Sequence, residues 1–332
     1  MGIQQIYPRI KTLLPIIGIG VFIYIIYNIG IQNISEAISK INGLFFIISF
    51  LIFFPRIIIS TYKWKIIATE QGINVGLNSL LKLNIIGIFY GTVTPLWVGD
   101  YIRIPYLQEE TGERFGKCAS TVIIDQAVEL AALFILALGG GLIIIRRLPI
   151  VFLALFSLFI VFIISALFLK DKKRSRRFCL FIYRFFIPQK LKGLMEQEFH
   201  SFYSHIPPLK FLFFPLLLEI GSYILFFTQI FILTLSFPFN IPYTTFILIY
   251  PIASLISLIP IAISGLGTRE GALIHLFSLY GIPSDKTVAI SLGGYIVTLL
   301  IPSFIGGILS IAMHKKKEHN LIFTKKKSGL TR

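Results

Sequence analysis

The sequence predicts an all-α, polytopic integral membrane protein of about 6–8 transmembrane helices, with two short re-entrant or broken helices and the marks of an inverted repeat. Three observations carry this. Hydrophobic residues make up 55% of the 332 residues and charged residues only 14%, at a mean hydropathy of +0.83, whereas soluble domains run about a quarter charged. Apolar runs long enough to cross about 30 Å of hydrocarbon recur along the chain. The formal charge of +16 is concentrated, with a net +7 in residues 170–210 and a net +6 in 314–332. This composition argues against a soluble enzyme, and its wealth of Ile, Leu and Phe argues against intrinsic disorder. No soluble region is left to bind nucleic acid, so no nucleic-acid partner is expected.

The first run, 12–29, follows Arg9 and Lys11 and has no small-residue cleavage site after it. It reads as a retained span rather than a removed signal peptide. A second span at 44–62 leads to a loop, 63–82, in which Lys63, Lys65 and Lys82 outweigh Glu70. Trp64 in that loop reads as an interface anchor. Spans at 119–141 and 149–169 lead into the basic segment 170–210, whose interleaved Phe178, Phe181, Tyr183, Phe199, Phe202 and Tyr203 suit an amphipathic helix lying on the inner leaflet. Spans at 211–237, 244–263 and 287–313 follow, and the basic tail 314–332 closes the chain. The membrane domain is thus 1–313. Both basic segments follow long apolar runs, as cytoplasmic loops do, and both would attract anionic headgroups at about 1 kcal/mol per basic residue near the surface. N- and C-termini are expected in the cytoplasm of a cytoplasmic (inner) membrane.

Two further apolar stretches, 83–98 and 266–280, would reach only about 22–24 Å as helix, too short to span. Orientation then sets a parity condition. Keeping 170–210 cytoplasmic requires 83–98 to enter and leave on the cytoplasmic side. Returning the tail to that side requires 244–263 and 266–280 to form one hairpin dipping from outside, or 266–280 to cross with help from its neighbours. Pro251 and Pro260 break the first of these segments, as suits a discontinuous helix. The two dips also resemble each other. One carries Pro95, Gly99 and Arg103, the other Pro260, Gly265 and Arg269, each with an acid close by. Interrupted short helices at corresponding places, opening to opposite sides, are the mark of inverted repeats; chance likeness of two Pro/Gly breaks is the alternative.

A charge at the centre of a span costs about 2.5–3.5 kcal/mol, yet several lie at or near membrane depth. Asp100 and Arg103 follow the first dip, and Arg269 and Glu270 sit in the second. Asp125 and Glu129 are four apart and share a helix face. Glu219 lies within 211–237 and Arg56 within 44–62, beside Pro55. The bland reading is internal ion pairs that hold helices together. The functional reading is a polar cavity between two halves, in which Arg103 and Arg269 grip a phosphate. Gly265 and Gly267 would then offer backbone N–H groups at a helix N-terminus, and the acids would balance the arginines or bind an amine or a proton. The sequence carries no HExxH, GxSxG, P-loop or GxGxxG pattern, and Cys118 and Cys179 lack metal spacing. No cofactor or metal is expected, and moving or binding a substrate is favoured over making a bond.

The stretch from Gly91 through Pro95, Gly99, Asp100 and Arg103 to Leu107 resembles the signature of the lysylphosphatidylglycerol synthase transmembrane (flippase-like) family, which includes UPF0104-like integral membrane proteins. So does the stretch from Pro260 through Gly265, Gly267, Arg269, Glu270 and Gly271 to Ala272, followed by Tyr280-Gly281-Ile282. Tyr62-Lys63-Trp64-Lys65 is similar to the family's Arg/Lys-Trp motif. The resemblance covers roughly 10–313. A departure falls at Ile124-Asp125-Gln126, where the family usually pairs an acid with Arg; a phosphate contact or ion pair through that Arg does not carry over.

The resemblance implies a module that translocates lipids with charged or phosphate-bearing headgroups. In the founding members the lipid is aminoacylated phosphatidylglycerol, and relatives are linked to polyisoprenyl-phosphate sugar pathways. The soluble aminoacyl-transferase domain of the founding members is not expected here. The function expected is a flippase- or scramblase-like transporter acting on membrane lipids with anionic headgroups, with Asp100, Arg103, Asp125, Glu129, Gly265, Gly267, Arg269 and Glu270 at its site and Arg56 and Glu219 as further candidates. The alternatives are a membrane subunit of a lipid-modifying enzyme or glycosyltransferase, and a scaffold recruiting a separate cytoplasmic enzyme.

Overall fold

The structure, a computed structural model, describes residues 43–170, 192–238, 241–258 and 267–313, with individual positions between 20 and 42 and residues 172 and 174. Most of the expected first span, most of the basic segment, Gly265 and the tail lie outside the described residues. The described chain is helical, and five of its helices are long and apolar enough to cross a membrane. They are α1 (Gly43–Glu70), α4 (Phe115–Ile144), α5 (Pro149–Lys170), α7 (Phe213–Thr234) and α10 (Ser284–Met313).

Between them lie shorter pieces. The first dip is α2 (Leu77–Thr92), a 3₁₀ helix (Pro95–Ile102) and α3 (Arg103–Thr111). A helix α6 (Lys192–Ser204) ends the basic segment. The second dip is α8 (Tyr243–Ile256) and α9 (Thr268–Ser278). Helix α5 is apolar on every face and buries only Leu155, the pattern of a helix facing lipid.

Hydrogen bonds between loops and helix ends sort these elements onto two sides. On the basic side, Lys117 donates to the Gly72 carbonyl at 3.0 Å, Gly116 N–H to Glu198 at 2.6 Å, and Tyr203 to the Leu169 carbonyl at 2.7 Å. Ser79, in the first turn of α2, donates to Glu110, in the last turn of α3, at 2.6 Å. The first dip therefore enters and leaves on the basic side. On the opposite side, Asn42 N–H donates to Ser236 at 3.0 Å. There Arg147, between α4 and α5, donates to the Leu279 carbonyl at 2.6 Å and lies over the Tyr280 ring. Tyr243 at the head of α8 meets Thr228 and Phe231 near the end of α7. The second dip thus opens to the side opposite the first, and α10 returns the chain to the basic side. Both arrangements that satisfy parity place Tyr243 and Tyr280 on the side opposite the basic one; they differ in the depth reached at 259–266, which lies outside the described residues.

The order long helix, dip, long helix occurs twice in opposite senses: α1, first dip, α4, and then α7, second dip, α10. Each dip is held by the long helix of the other half at a glycine. A Cβ on Gly140 of α4 would lie 1.8 Å from the Leu248 carbonyl oxygen of α8, and one on Gly306 of α10 would lie 2.3 Å from the Ile85 carbonyl oxygen of α2. Only glycine permits these backbone approaches, as at other close helix crossings in membranes. Gly140→Ala and Gly306→Ala should each lower stability by about 1–3 kcal/mol, read as the midpoint of thermal unfolding in detergent. Gly221→Ala, whose added carbon meets nothing within 4 Å, should leave that midpoint in place.

Two expectations are corrected. Helix α1 continues to Glu70 rather than ending at 62. Lys63 is therefore a buried helix residue, not a loop charge, and Trp64 is fully buried rather than an interface anchor. The helix tolerates Lys63 because its ammonium has carboxylate partners.

Candidate functional site

The sequence spacing builds the site from three helix faces. In α1, Arg56, Ser60 and Lys63 recur at intervals of four and three. In α4, Asp125 and Glu129 are four apart with Gln126 beside them. In α7, Glu219, Ser222, Tyr223 and Phe226 follow the same rule. Residues three and four apart share a helix face. These faces converge, and the tip of the first dip closes them with Asp100 and Arg103.

Lys63 Nζ is the hub. It lies 2.8 Å from Glu219, 2.9 Å from Asp125 Oδ1 and 3.5 Å from Glu129. Asp125 uses its other oxygen, Oδ2, to accept from Arg103 at 2.9 Å, and so bridges the two cations. Arg103 also pairs with Asp100, which accepts from Gln126 as well. The Arg103 guanidinium lies 4.7 Å over the Trp64 ring. Gly87 makes room for this arrangement: a Cβ there would lie 2.0 Å from Asp100 Oδ1. Lys63, Arg103, Asp125 and Glu219 are buried. The Glu129 side chain keeps 25% of its exposure, against 2% for Asp125 and 4% for Glu219.

Arg56 stands apart. Its guanidinium lies 4.9 Å over Phe226 and 5.6 Å over Phe53. Its Nε is buried with no hydrogen-bond partner, and among the described residues it has no carboxylate within ion-pair distance.

The second dip carries a smaller station. Arg269 pairs with Glu270 at 2.9 Å, donates from Nε to Ser291 at 3.2 Å, and lies 5.2 Å over the Tyr295 ring. Ser291 donates to Glu270 at 2.7 Å. Both halves thus place an arginine on an aromatic face beside an acid. Tyr295 adjoins a π turn, Ile296–Leu300, in α10, a feature frequent at functional sites. Gly267, at φ 89°, donates its N–H to Glu270 at 2.5 Å, so the α9 N-terminus expected to face an anion is occupied by its own carboxylate.

A cavity of about 470 Å³ joins the two stations. Its polar lining includes Arg56, Asp100, Glu129, Glu219, Tyr250 and Arg269, and its apolar lining includes Ile88, Leu130, Phe162, Leu258 and Leu299. Of the residues expected at the site, Asp100, Glu129, Arg269, Arg56 and Glu219 line this cavity. Arg103 and Asp125 lie behind its wall, where Arg103 donates to Asp125 and Asp100 and Asp125 forms an ion pair with Lys63. Glu270 stands beside Arg269. Lys63, Ser291, Tyr223 and Gln126 were missed. A signal for Lys63 was present: Asp100, Asp125, Glu129 and Glu219 are four membrane-depth acids, which Arg56 and Arg103 alone do not match.

With the dips and the paired arginines in view, residues 13–306 match the family described as the lysylphosphatidylglycerol synthase TM region. The chain belongs to that family. It is similar to a UPF0104 membrane protein of Methanocaldococcus jannaschii, 23% identical over 92% of this chain and 96% of the relative. A UPF0104 membrane protein of Methanothermobacter thermautotrophicus is 24% identical over 93% of this chain and 95% of its own. One of Pyrococcus horikoshii is 22% identical over 92% and 98%. The chain is therefore a multi-pass membrane protein of the lysylphosphatidylglycerol synthase transmembrane type, matched along nearly its whole length by these relatives.

Proposed function

We propose that the protein moves a phosphate-bearing, aminoacylated or polyisoprenyl-phosphate-linked lipid between leaflets of a cytoplasmic membrane, its basic side facing the cytoplasm. The observation that carries this reading is a cavity between two oppositely opening dips, lined by both charged and apolar side chains. A lipid headgroup needs charged and polar lining and its chains need apolar lining, and this cavity offers both. Inverted halves around one midplane site are the general architecture of alternating access. The phosphate would contact Arg56 and Arg269, which line the cavity. Arg103 would act indirectly, by fixing Asp100 and Asp125. The wider set of partners is membrane lipids with anionic headgroups.

The test is leaflet exchange of labelled phosphatidylglycerol and labelled polyisoprenyl phosphate in vesicles holding the purified protein. Exchange well above that of empty vesicles is expected, and Arg269→Ala should slow it by about tenfold or more, the worth of a charge-assisted hydrogen bond. Exchange no faster than in empty vesicles, with every lipid tried, would sink the reading. The word synthase in the family's description favours a second reading, a membrane subunit of a lipid-modifying enzyme or glycosyltransferase that works with a cytoplasmic partner. Product formation without exchange would select it.

A further inference from the structure

Counting charge at the larger station gives an imbalance. Arg56, Lys63 and Arg103 are three cations; Asp100, Asp125, Glu129 and Glu219 are four carboxylates. Arg269 and Glu270 cancel each other. A buried cluster in a membrane is driven toward neutrality, because an uncompensated charge there is costly. The empty cavity is neutral when one carboxyl holds a proton. An anionic headgroup seated on Arg56 adds another negative charge, which one more proton would offset.

Glu129 is the carboxylate placed to take it. Asp125 is divided between Lys63 and Arg103, Asp100 pairs with Arg103 and Gln126, and Glu219 has the 2.8 Å contact to Lys63. Glu129 is left with the longest contact to Lys63, 3.5 Å, and with the most exposed side chain of the three acids on that ammonium, on the cavity wall. The groups facing it are Arg56 and Lys63 from α1, Asp100 and Tyr101 from the 3₁₀ helix, Arg103 from α3, and Glu219 and Tyr223 from α7. Asp125 lies one turn away on its own helix. Tyr250 and Arg269 also line the cavity, and Glu270 stands beside Arg269.

We propose that Glu129 carries a proton across with each anionic headgroup, making lipid movement an electroneutral proton co-transport; this rests on the lipid-transport reading above. No bond is made or broken apart from the O–H bond of the carboxyl, which forms on one side of the membrane and is released on the other.

The experiment uses the full chain in phosphatidylcholine vesicles with trace labelled phosphatidylglycerol, the membrane potential clamped, and a pH-sensitive dye inside. With one proton per lipid, a gradient of one pH unit should shift the leaflet ratio of the label about tenfold, toward the alkaline compartment, and the dye should report matching proton entry. Glu129→Gln should end at equal leaflet populations whatever its rate. Exchange above empty vesicles with equal leaflets under the gradient would overturn this inference and leave the transport reading standing. A tenfold shift surviving in Glu129→Gln would remove Glu129 as the carrier. No exchange at all would remove both.

Discussion

Lys63→Met should destabilise the protein by about 3–5 kcal/mol, the cost of stripping a buried ion cluster of one partner. The ammonium contacts Asp125, Glu129 and Glu219 and is itself without exposure. Methionine matches its length and flexibility, so the loss reads the charge and not a cavity. Arg103 still covers one oxygen of Asp125, whereas Glu219 is left facing an apolar chain. Lys63→Met combined with Glu219→Gln should therefore recover a large part of the loss, because the glutamine brings no orphaned charge. Thermal midpoints in detergent for the two single variants and the double variant form the cycle that measures this coupling. Additive losses would mean that the pair does not act as a unit.

Arg56→Gln is expected to slow leaflet exchange by about 10–100-fold, the worth of one charged hydrogen-bond donor, while the fold survives. The separation follows from its surroundings. Arg56 is gripped by no carboxylate among the described residues, and it rests on Phe53 and Phe226 through its flat face. Removing it strips no acid of a partner, unlike removing Lys63 or Arg103. Exchange rates, with the elution profile and thermal midpoint as controls, check the prediction. An unchanged exchange rate would remove Arg56 from the phosphate contact. A collapsed elution profile would make it a structural residue like Lys63.

Much of the fold was legible from residues alone. Hydrocarbon penalises charge, so the spans at 119–141, 149–169 and 211–237 stand out and sit close to α4, α5 and α7. Counting crossings between basic segments exposed the two dips, because segments of that length cannot reach across. The repeated Pro-Gly-Arg spacing singled out Arg103 and Arg269, which the structure places as the first residue of α3 and the second of α9. The end of α1 was misjudged for a physical reason. Tyr62-Lys63-Trp64-Lys65 has the composition of a membrane boundary, and local composition cannot register that three acids distant in sequence wait for the lysine.

The chain's composition and charge spacing were enough to establish a polytopic helical membrane protein, its two dips and the charged residues that had to be explained. They could not say which acid would meet which cation. That depends on the rotation of α1, α4 and α7 about their axes and on how closely helices cross at Gly140 and Gly306. Those quantities are set by side-chain packing between segments far apart in sequence. Tertiary contact placed Lys63 at the centre, put Arg103 behind the wall, and left Arg56 and Glu129 facing the cavity.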